Sequence, residues 1–210
     1  MGKEESKLRL KDKKIGFALT GSHCTLDKMF PELEKLLAEG ADIYPIISPS
    51  VDKTDTRFGD ATEWKTRLVK TTGHKIINTV SGAEPLGPQA ELDAFVIAPC
   101  TGNSMAKLAN GITDTAVLMG AKAQLRNQKP VIVAISTNDG LGFNAKNMGI
   151  LLSAKHVYMV PFGQDSPFTK PNSLVAKMEL LLPTIIAALE GRQLQPMLIN
   201  LAQEEFELKR

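Results

Sequence analysis

The sequence has few cysteines, no long apolar run and few aromatic residues. Two cysteines among 210 residues can form neither a disulfide framework nor a four-ligand zinc site, so we expect no metal site. No apolar run approaches the roughly 18 residues of a membrane-spanning helix, and the charged N-terminus lacks the apolar core of a secretory signal. We therefore expect a cytoplasmic protein that does not span a membrane.

The charge is nearly balanced, which argues against one class of partner. Lysine and arginine together number 25, aspartate and glutamate 23, and the formal net charge is +2. Sequence-independent binding of nucleic acid normally needs a basic excess, so we expect no nucleic-acid partner. Hydrophobic residues make up 43% of the chain, as in globular proteins. We predict a single domain over residues 1–210, with flexible tails at residues 1–13 and 203–210.

Short, unbroken apolar runs alternate with amphipathic stretches along the chain. The runs predict strands, which are typical of sheets covered on both faces, over residues 15–19, 43–47, 95–98, 131–135 and 157–160. Apolar spacings of three and four predict helices over residues 25–39, 64–73, 105–109, 115–125 and 173–189. Pro31 is an alternative start for the first helix. The alternation predicts a three-layer α/β domain with a Rossmann-like parallel sheet.

The loops that follow the first two strands carry small hydroxyl residues. Parallel sheets bind ligands at the carboxyl ends of their strands, where Gly21 and Ser22 follow the first strand and Ser48 and Ser50 follow the second. Glycine lets the backbone approach an anion, and a helix N-terminus offers free N–H groups. Because neither a three-glycine dinucleotide fingerprint nor a Walker loop is present, we predict a simple phosphate-compatible lining here.

The next two loops are also rich in hydrogen-bonding residues. Thr101, Asn103 and Ser104 open a short helix after the third strand, and Ser136 and Asn138 follow the fourth. Small polar residues at such a junction can hold the carbonyl and amide edge of a planar heterocycle, and asparagine offers both a donor and an acceptor. Ordinary helix capping explains each loop taken singly, so the residues alone leave a ligand site and plain caps both open.

Residues 99–114 resemble the Pro-Ala-Ser-Ala-Asn-Thr motif and the trailing Lys-x-Ala-x-Gly-Ile-x-Asp of the homo-oligomeric flavin-containing cysteine decarboxylase superfamily. The identical positions are Pro99, Asn103, Lys107, Ala109, Gly111, Ile112 and Asp114. The resemblance implies a flavoprotein fold, FMN as cofactor, and a homo-oligomer that is a trimer or a multiple of three. Together with the loops above, it leads us to expect cofactor-binding residues at Gly21, Ser22, Ser48, Ser50, Thr101, Asn103, Ser104 and Ser136.

The chain also departs from the decarboxylases of that superfamily. They carry a catalytic histidine whose place falls near Glu84, but this chain has no histidine between residues 74 and 156. They also carry a late cysteine, whereas the only cysteines here are Cys24 and Cys100. Of their Pro-x-Met-Asn substrate motif, Asn138 remains and the methionine does not. We therefore expect a flavin cradle with altered substrate walls, and no oxidative decarboxylation of cysteine.

Within the superfamily, residues 14–196 are similar to one component of a two-subunit oxidoreductase of spore-forming bacteria. The segments that carry this similarity are residues 20–25, 56–59, 82–88, 136–139, 160–165 and 170–173. It implies oxidation of a dihydropyridine precursor to pyridine-2,6-dicarboxylate in the mother-cell cytoplasm, with NADP as overall acceptor on a separate A subunit. His23 and Asn138 are the catalytic candidates, and Asn138 and Arg57 the substrate-binding candidates.

Two other functions stay open at this point. One is a stand-alone FMN-dependent decarboxylase or a flavin prenyltransferase, although no separate motif indicates a prenyl-phosphate site. The other is a non-catalytic partner of the A subunit, with a pocket that is empty or filled by phosphate. Visible flavin absorbance would separate this last function from the enzymes.

Overall fold

Five parallel strands form the centre of the computed structural model, which describes residues 8–87 and 92–201. They are β1 (Lys14–Leu19), β2 (Asp42–Ile47), β3 (Ala94–Cys100), β4 (Val131–Thr137) and β5 (Val157–Met159). Their order across the sheet is β2–β1–β3–β4–β5. Every residue of β3 is buried, as expected of a strand covered on both faces. The five predicted strands and the Rossmann-like α/β fold are confirmed.

Helices connect the strands and flank the sheet. They are α1 (His23–Leu26), α2 (Met29–Ala38), α3 (Pro49–Lys53), α4 (Ala61–Thr72), α5 (Val80–Ala83), α6 (Gly102–Ala109), α7 (Ala116–Arg126), α8 (Ala145–Ser153) and α9 (Leu181–Leu189). Helix α7 packs against β1, β2, β3 and β4, whereas α9 packs against β4 and β5 and touches α2. Helix α4 ends at Gly73, whose φ of +73° is the left-handed conformation that glycine adopts without strain.

The predicted helix over residues 173–189 is wrong in its first part. Residues Leu174–Ala176 form a strand, β7, and the α-helix occupies Leu181–Leu189 alone. Strand β7 pairs antiparallel with Ser136 and Thr137 at the end of β4 and with a short strand β6 (Phe162–Gly163). Strand β5 pairs only with residues 131–133 of β4. The end of β4 therefore needs another partner for its backbone groups, and β7 supplies it.

The segment before β1 is packed onto the body of the protein. Leu10 is fully buried, and its backbone N–H donates to the Glu39 carbonyl at 3.0 Å. Leu10 thus lies in the core, although it falls within residues 1–13, whose flexibility stays a prediction. Three parts of these predictions lie outside the described residues: residues 1–7, the other expected tail at 203–210, and residue 88, the last residue of the family-like segment 82–88. Within residues 8–87 and 92–201, no helix combines the length and apolarity needed to cross a membrane.

The strand order reverses direction between β1 and β3. From β1 the chain moves outward to β2 on one side, and it then returns to β3 on the other. In sheets with this order the crevice at the carboxyl ends of these two strands is the usual ligand site. Thr20 follows β1 at this point and Thr101 follows β3.

Candidate functional site

A cleft of about 350 Å³ lies at the carboxyl ends of β1, β2 and β3. The residues that line it are Gly21, Ser48, Pro49, Ser50, Thr101, Asn103, Ser104, Lys107, Thr115 and Leu118. Six of the eight residues predicted to bind the cofactor are among them. Residues far apart in the chain therefore meet at the switch point of the sheet, because parallel strands present their carboxyl ends at one edge.

Direct contacts hold the loops around the cleft together. The buried Thr20 hydroxyl donates to the Pro99 carbonyl at 2.7 Å and accepts from the Thr101 N–H at 2.9 Å. A Cβ placed on Gly21 would lie 2.5 Å from Ser50 Oγ, which is closer than atoms can approach. The loop after β1 is thus tied to the loop after β3 and is in close contact with the loop after β2.

Three helices begin at the cleft. The residues that precede α3, α6 and α7 are Ser48, Thr101 and Thr115. The side-chain oxygen of each accepts a hydrogen bond from a backbone N–H group in the first turn of its helix, at 3.3 to 3.5 Å. Each helix N-terminus carries a partial positive charge and further unpaired N–H groups. The arrangement favours an anionic ligand such as a phosphate group.

Lys107 is the one charged residue among the described residues that line the cleft. Its ammonium group forms an ion pair with Asp114, in the connection between α6 and α7. Neither Lys107 nor the cap residue Thr115 was among the predicted site residues. One signal was present in the sequence, since Lys107 follows Asn103 by four positions and therefore shares its face of α6.

Ser22 and Ser136 meet each other beside the cleft. Their Oγ atoms are 2.8 Å apart, and Thr25 Oγ1 is 3.2 Å from each of them. Ser136 is buried at the end of β4. The structure therefore joins these two predicted cofactor residues in one hydroxyl cluster, next to Gly21, while the other six predicted residues line the cleft itself.

His23 lies at the edge of the site. Its Nε2 atom is 3.2 Å from Ser50 Oγ, and its Nδ1 atom is buried without a hydrogen-bond partner among the described residues. Burial lowers the pKa of His23 below its ordinary value of 6.5. The imidazole is therefore neutral at neutral pH, so it can accept a proton.

The two other predicted substrate residues lie on exposed loops. Asn138 is exposed after β4, and its Oδ1 atom accepts a hydrogen bond from Ser173 Oγ at 3.5 Å. Arg57 is exposed before α4, with its guanidinium 4.8 Å from the centre of the Phe58 ring. Neither belongs to the described residues that line the cleft.

The cysteines differ in their environments. Cys100 is completely buried, and burial raises the pKa of its thiol to about 12, so it stays a thiol and is a poor nucleophile. Cys24 is exposed, with its sulfur 3.9 Å from Ser22 Oγ. Among residues 8–87 and 92–201 there is no group of three or more histidine, cysteine or acidic residues that could hold a metal ion.

The fold and the cleft are those of a flavin-type α/β protein, and comparison with known families agrees. The family model described as Flavoprotein matches residues 3–180. Because this match covers most of the chain, the protein belongs to the Flavoprotein family.

Individual relatives define the protein more narrowly than the family model does. The dipicolinate synthase B subunit of Bacillus subtilis (strain 168) is 54% identical over 191 residues, which are 91% of this chain and 96% of the relative. The crystal structure of the dipicolinate synthase B subunit from Bacillus halodurans is 52% identical, with a TM-score of 0.84 over 91% of this chain and 98% of that one. The protein is therefore a homologue of the dipicolinate synthase B subunit.

A more distant structure shares the fold alone. Burkholderia xenovorans DmrB in complex with FMN is 20% identical, with a TM-score of 0.62 over 83% of this chain and 93% of that one. In this chain, the lining of the cleft offers hydrogen-bond donors of two kinds. Helix N-termini, serine hydroxyls and Lys107 are donors suited to a phosphate, and Asn103 offers an amide to the edge of a heterocycle.

Proposed function

We propose that the protein is the B subunit of a dipicolinate synthase. Together with the A subunit, it would oxidise a dihydrodipicolinate-type precursor to dipicolinate, with NADP on the A subunit as overall acceptor. One observation carries the cofactor part of the proposal: hydroxyl-bearing loops and helix N-termini meet in a cleft at the switch point of the sheet. The identity of 54% to the Bacillus subtilis protein supports the reaction.

FMN is the cofactor that we assign to this cleft. The phosphate would be bound by the backbone and hydroxyl groups around Gly21, Ser48 and Ser50, because a helix N-terminus opens there. Asn103 would bind the edge of the ring system. The full set of residues proposed to hold the cofactor is Gly21, Ser22, Ser48, Ser50, Thr101, Asn103, Ser104 and Ser136.

Oxidation of a dihydropyridine to a pyridine removes two hydrogens, one as a hydride equivalent and one as a proton. A flavin bound in the cleft would supply the two-electron acceptor for such a step, and the electron pair would pass on to NADP, the overall acceptor. The neutral His23 imidazole is the candidate acceptor of the proton, since its pKa is lowered by burial and its Nδ1 atom has no partner among the described residues. Asn138 and Arg57, on exposed loops, are the candidates for the two carboxylates of the substrate.

We also propose that the protein forms a homo-oligomer, a trimer or a multiple of three, in the mother-cell cytoplasm of a spore-forming bacterium. The superfamily resemblance supports the oligomer, and the relative in Bacillus subtilis supports the setting. Size measurement by light scattering tests the first point directly, and a monomer in solution would contradict it.

Two measurements test the proposed function. The absorption spectrum of the purified protein, recorded as isolated and after addition of FMN, should show a bound flavin with bands shifted from those of free FMN. Dipicolinate formation with NADP should need both subunits and should be lost when either is omitted. A wild-type protein that binds no flavin, or an A subunit whose full rate needs no B subunit, would contradict the proposal.

A further inference from the structure

Lys107 belongs to the motif shared with the superfamily, but it is not among the proposed cofactor residues. It reaches the cleft from the second turn of α6, on the same face as Asn103. The other described residues that line the cleft are neutral. A mononucleotide brings a phosphate of nearly two negative charges at neutral pH, and the helix N-termini supply only partial positive charges. Lys107 is the full positive charge available on this lining.

The ion pair between Lys107 and Asp114 is accessible to solvent. The side chain of Lys107 is 27% exposed and that of Asp114 is 50% exposed. Ion pairs at such exposure are weak, because water screens the attraction. The lysine ammonium has three donors on a flexible stem, so it can turn to a phosphate in the cleft without leaving its helix position.

We propose that Lys107 binds the phosphate of the mononucleotide and that Asp114 competes with the phosphate for this lysine. In the absence of the ligand, Asp114 neutralises a cation that would otherwise stand alone in the cleft. When the phosphate binds, it replaces the carboxylate as the partner of the ammonium group. This inference rests on the proposed function and adds to it the residue that selects a phosphorylated flavin over an unphosphorylated one.

The test compares ligands that differ by one phosphate. FMN, riboflavin, inorganic phosphate and pyridine-2,6-dicarboxylate are titrated into wild-type protein and into Lys107→Gln, Lys107→Arg and Asp114→Asn, by calorimetry. We expect Lys107→Gln to weaken FMN and phosphate roughly tenfold or more, the usual effect of a lost charged hydrogen bond, and to leave riboflavin unchanged. Lys107→Arg should restore most of the affinity. Asp114→Asn should bind FMN and phosphate more tightly than wild type.

Lys122→Gln is the matched control. Lys122 is exposed on α7 and lies outside the described lining of this cleft, so its loss removes the same charge without the proposed contact. Its affinity for all four ligands should equal that of wild type. Far-UV circular dichroism shows that each variant is folded.

Several outcomes would overturn the inference. Equal weakening of FMN and riboflavin in Lys107→Gln would place the lysine at the ring, and a loss confined to the dicarboxylate would assign it to the substrate. Weaker FMN binding in Asp114→Asn would make Asp114 a positioning residue and not a competitor. If wild type binds phosphate but not FMN, the proposed function fails, while the phosphate titrations still decide the role of Lys107. If it binds neither, both fail.

Discussion

Gly21 shows how one residue decides the shape of the cleft. A Cβ at this position would meet Ser50 Oγ at 2.5 Å and Ser50 Cβ at 2.9 Å. We expect Gly21→Ala to push the loops after β1 and β2 apart. Because the displaced loops would lose a hydrogen bond to the phosphate, FMN binding should weaken about ten- to a hundredfold. A fluorescence titration measures this change in affinity.

Gly149 provides the control for this substitution. It lies within α8, and a Cβ there would meet nothing within 4 Å. Gly149→Ala should therefore stabilise the helix by roughly 0.5–1 kcal/mol and leave FMN affinity as it is. Wild-type FMN affinity in Gly21→Ala would show that the close contact of the two loops does not shape the ligand site.

The histidine at the edge of the site predicts a pH dependence. Because burial lowers the pKa of His23 below 6.5 in the folded protein, the unfolded chain takes up a proton at this side chain at a higher pH than the folded protein does. The free energy of unfolding should therefore fall as the pH drops from 6.5 through the folded pKa. We expect an NMR titration of the His23 ring to have a midpoint below 6.5.

Substitution isolates this contribution. His23→Gln removes the titrating group, so the fall in the free energy of unfolding below pH 6.5 should become smaller than in wild type. A midpoint at or above 6.5, or an identical pH profile in the variant, would contradict the lowered pKa of His23.

At the scale of the element, helix caps serve both stability and the ligand site. Thr101 caps α6 within the cleft, whereas Thr79 caps α5 outside its described lining. Replacing either threonine with alanine should lower the free energy of unfolding by about 1 kcal/mol, as measured by urea denaturation. Only Thr101→Ala should also weaken FMN binding. If both variants weaken FMN equally, the effect comes from general destabilisation and not from the cleft.

The elements were predictable to different degrees. The central strands are unbroken apolar runs of the length that a doubly covered sheet requires, and all five appear where the pattern placed them. Residues 174–176 could not be predicted from local pattern, because their strand conformation depends on the unpaired end of β4, about 40 residues earlier in the chain. The apolar spacing that predicts the following helix also runs through this segment, so the sequence pattern predicted one continuous helix there.

At the scale of the whole molecule, the segment before β1 belongs to the folded body. Leu10 is completely buried in the core, while Leu8, two residues earlier, is 44% exposed. Leu10→Ala should lower the free energy of unfolding by about 2–5 kcal/mol, and Leu8→Ala by less than roughly 0.5 kcal/mol. Thermal and chemical denaturation measure both. Equal, small effects would mean that this segment adds nothing to the core.

The candidate site illustrates what local chemistry can and cannot predict. Glycine and hydroxyl residues after the strands are visible in the sequence, because a strand end followed by a helix start is a local pattern. The direct meeting of Ser22 with Ser136 joins residues more than a hundred positions apart. Lys107 shares the cleft with residues of the loops after β1 and β2, which are far from it in the sequence.

Local patterns along the chain were enough to define the class of this protein: apolar runs that alternate with amphipathic stretches specify a parallel sheet between helices, and motif residues specify the family. The folded arrangement was needed to show which polar groups share a cleft, that a lysine supplies its charge, and that β7 pairs with the end of β4. The physical reason is that periodicity and capping act over a few residues, whereas the strand order, which brings distant loops to one edge of the sheet, is a property of the whole packed chain.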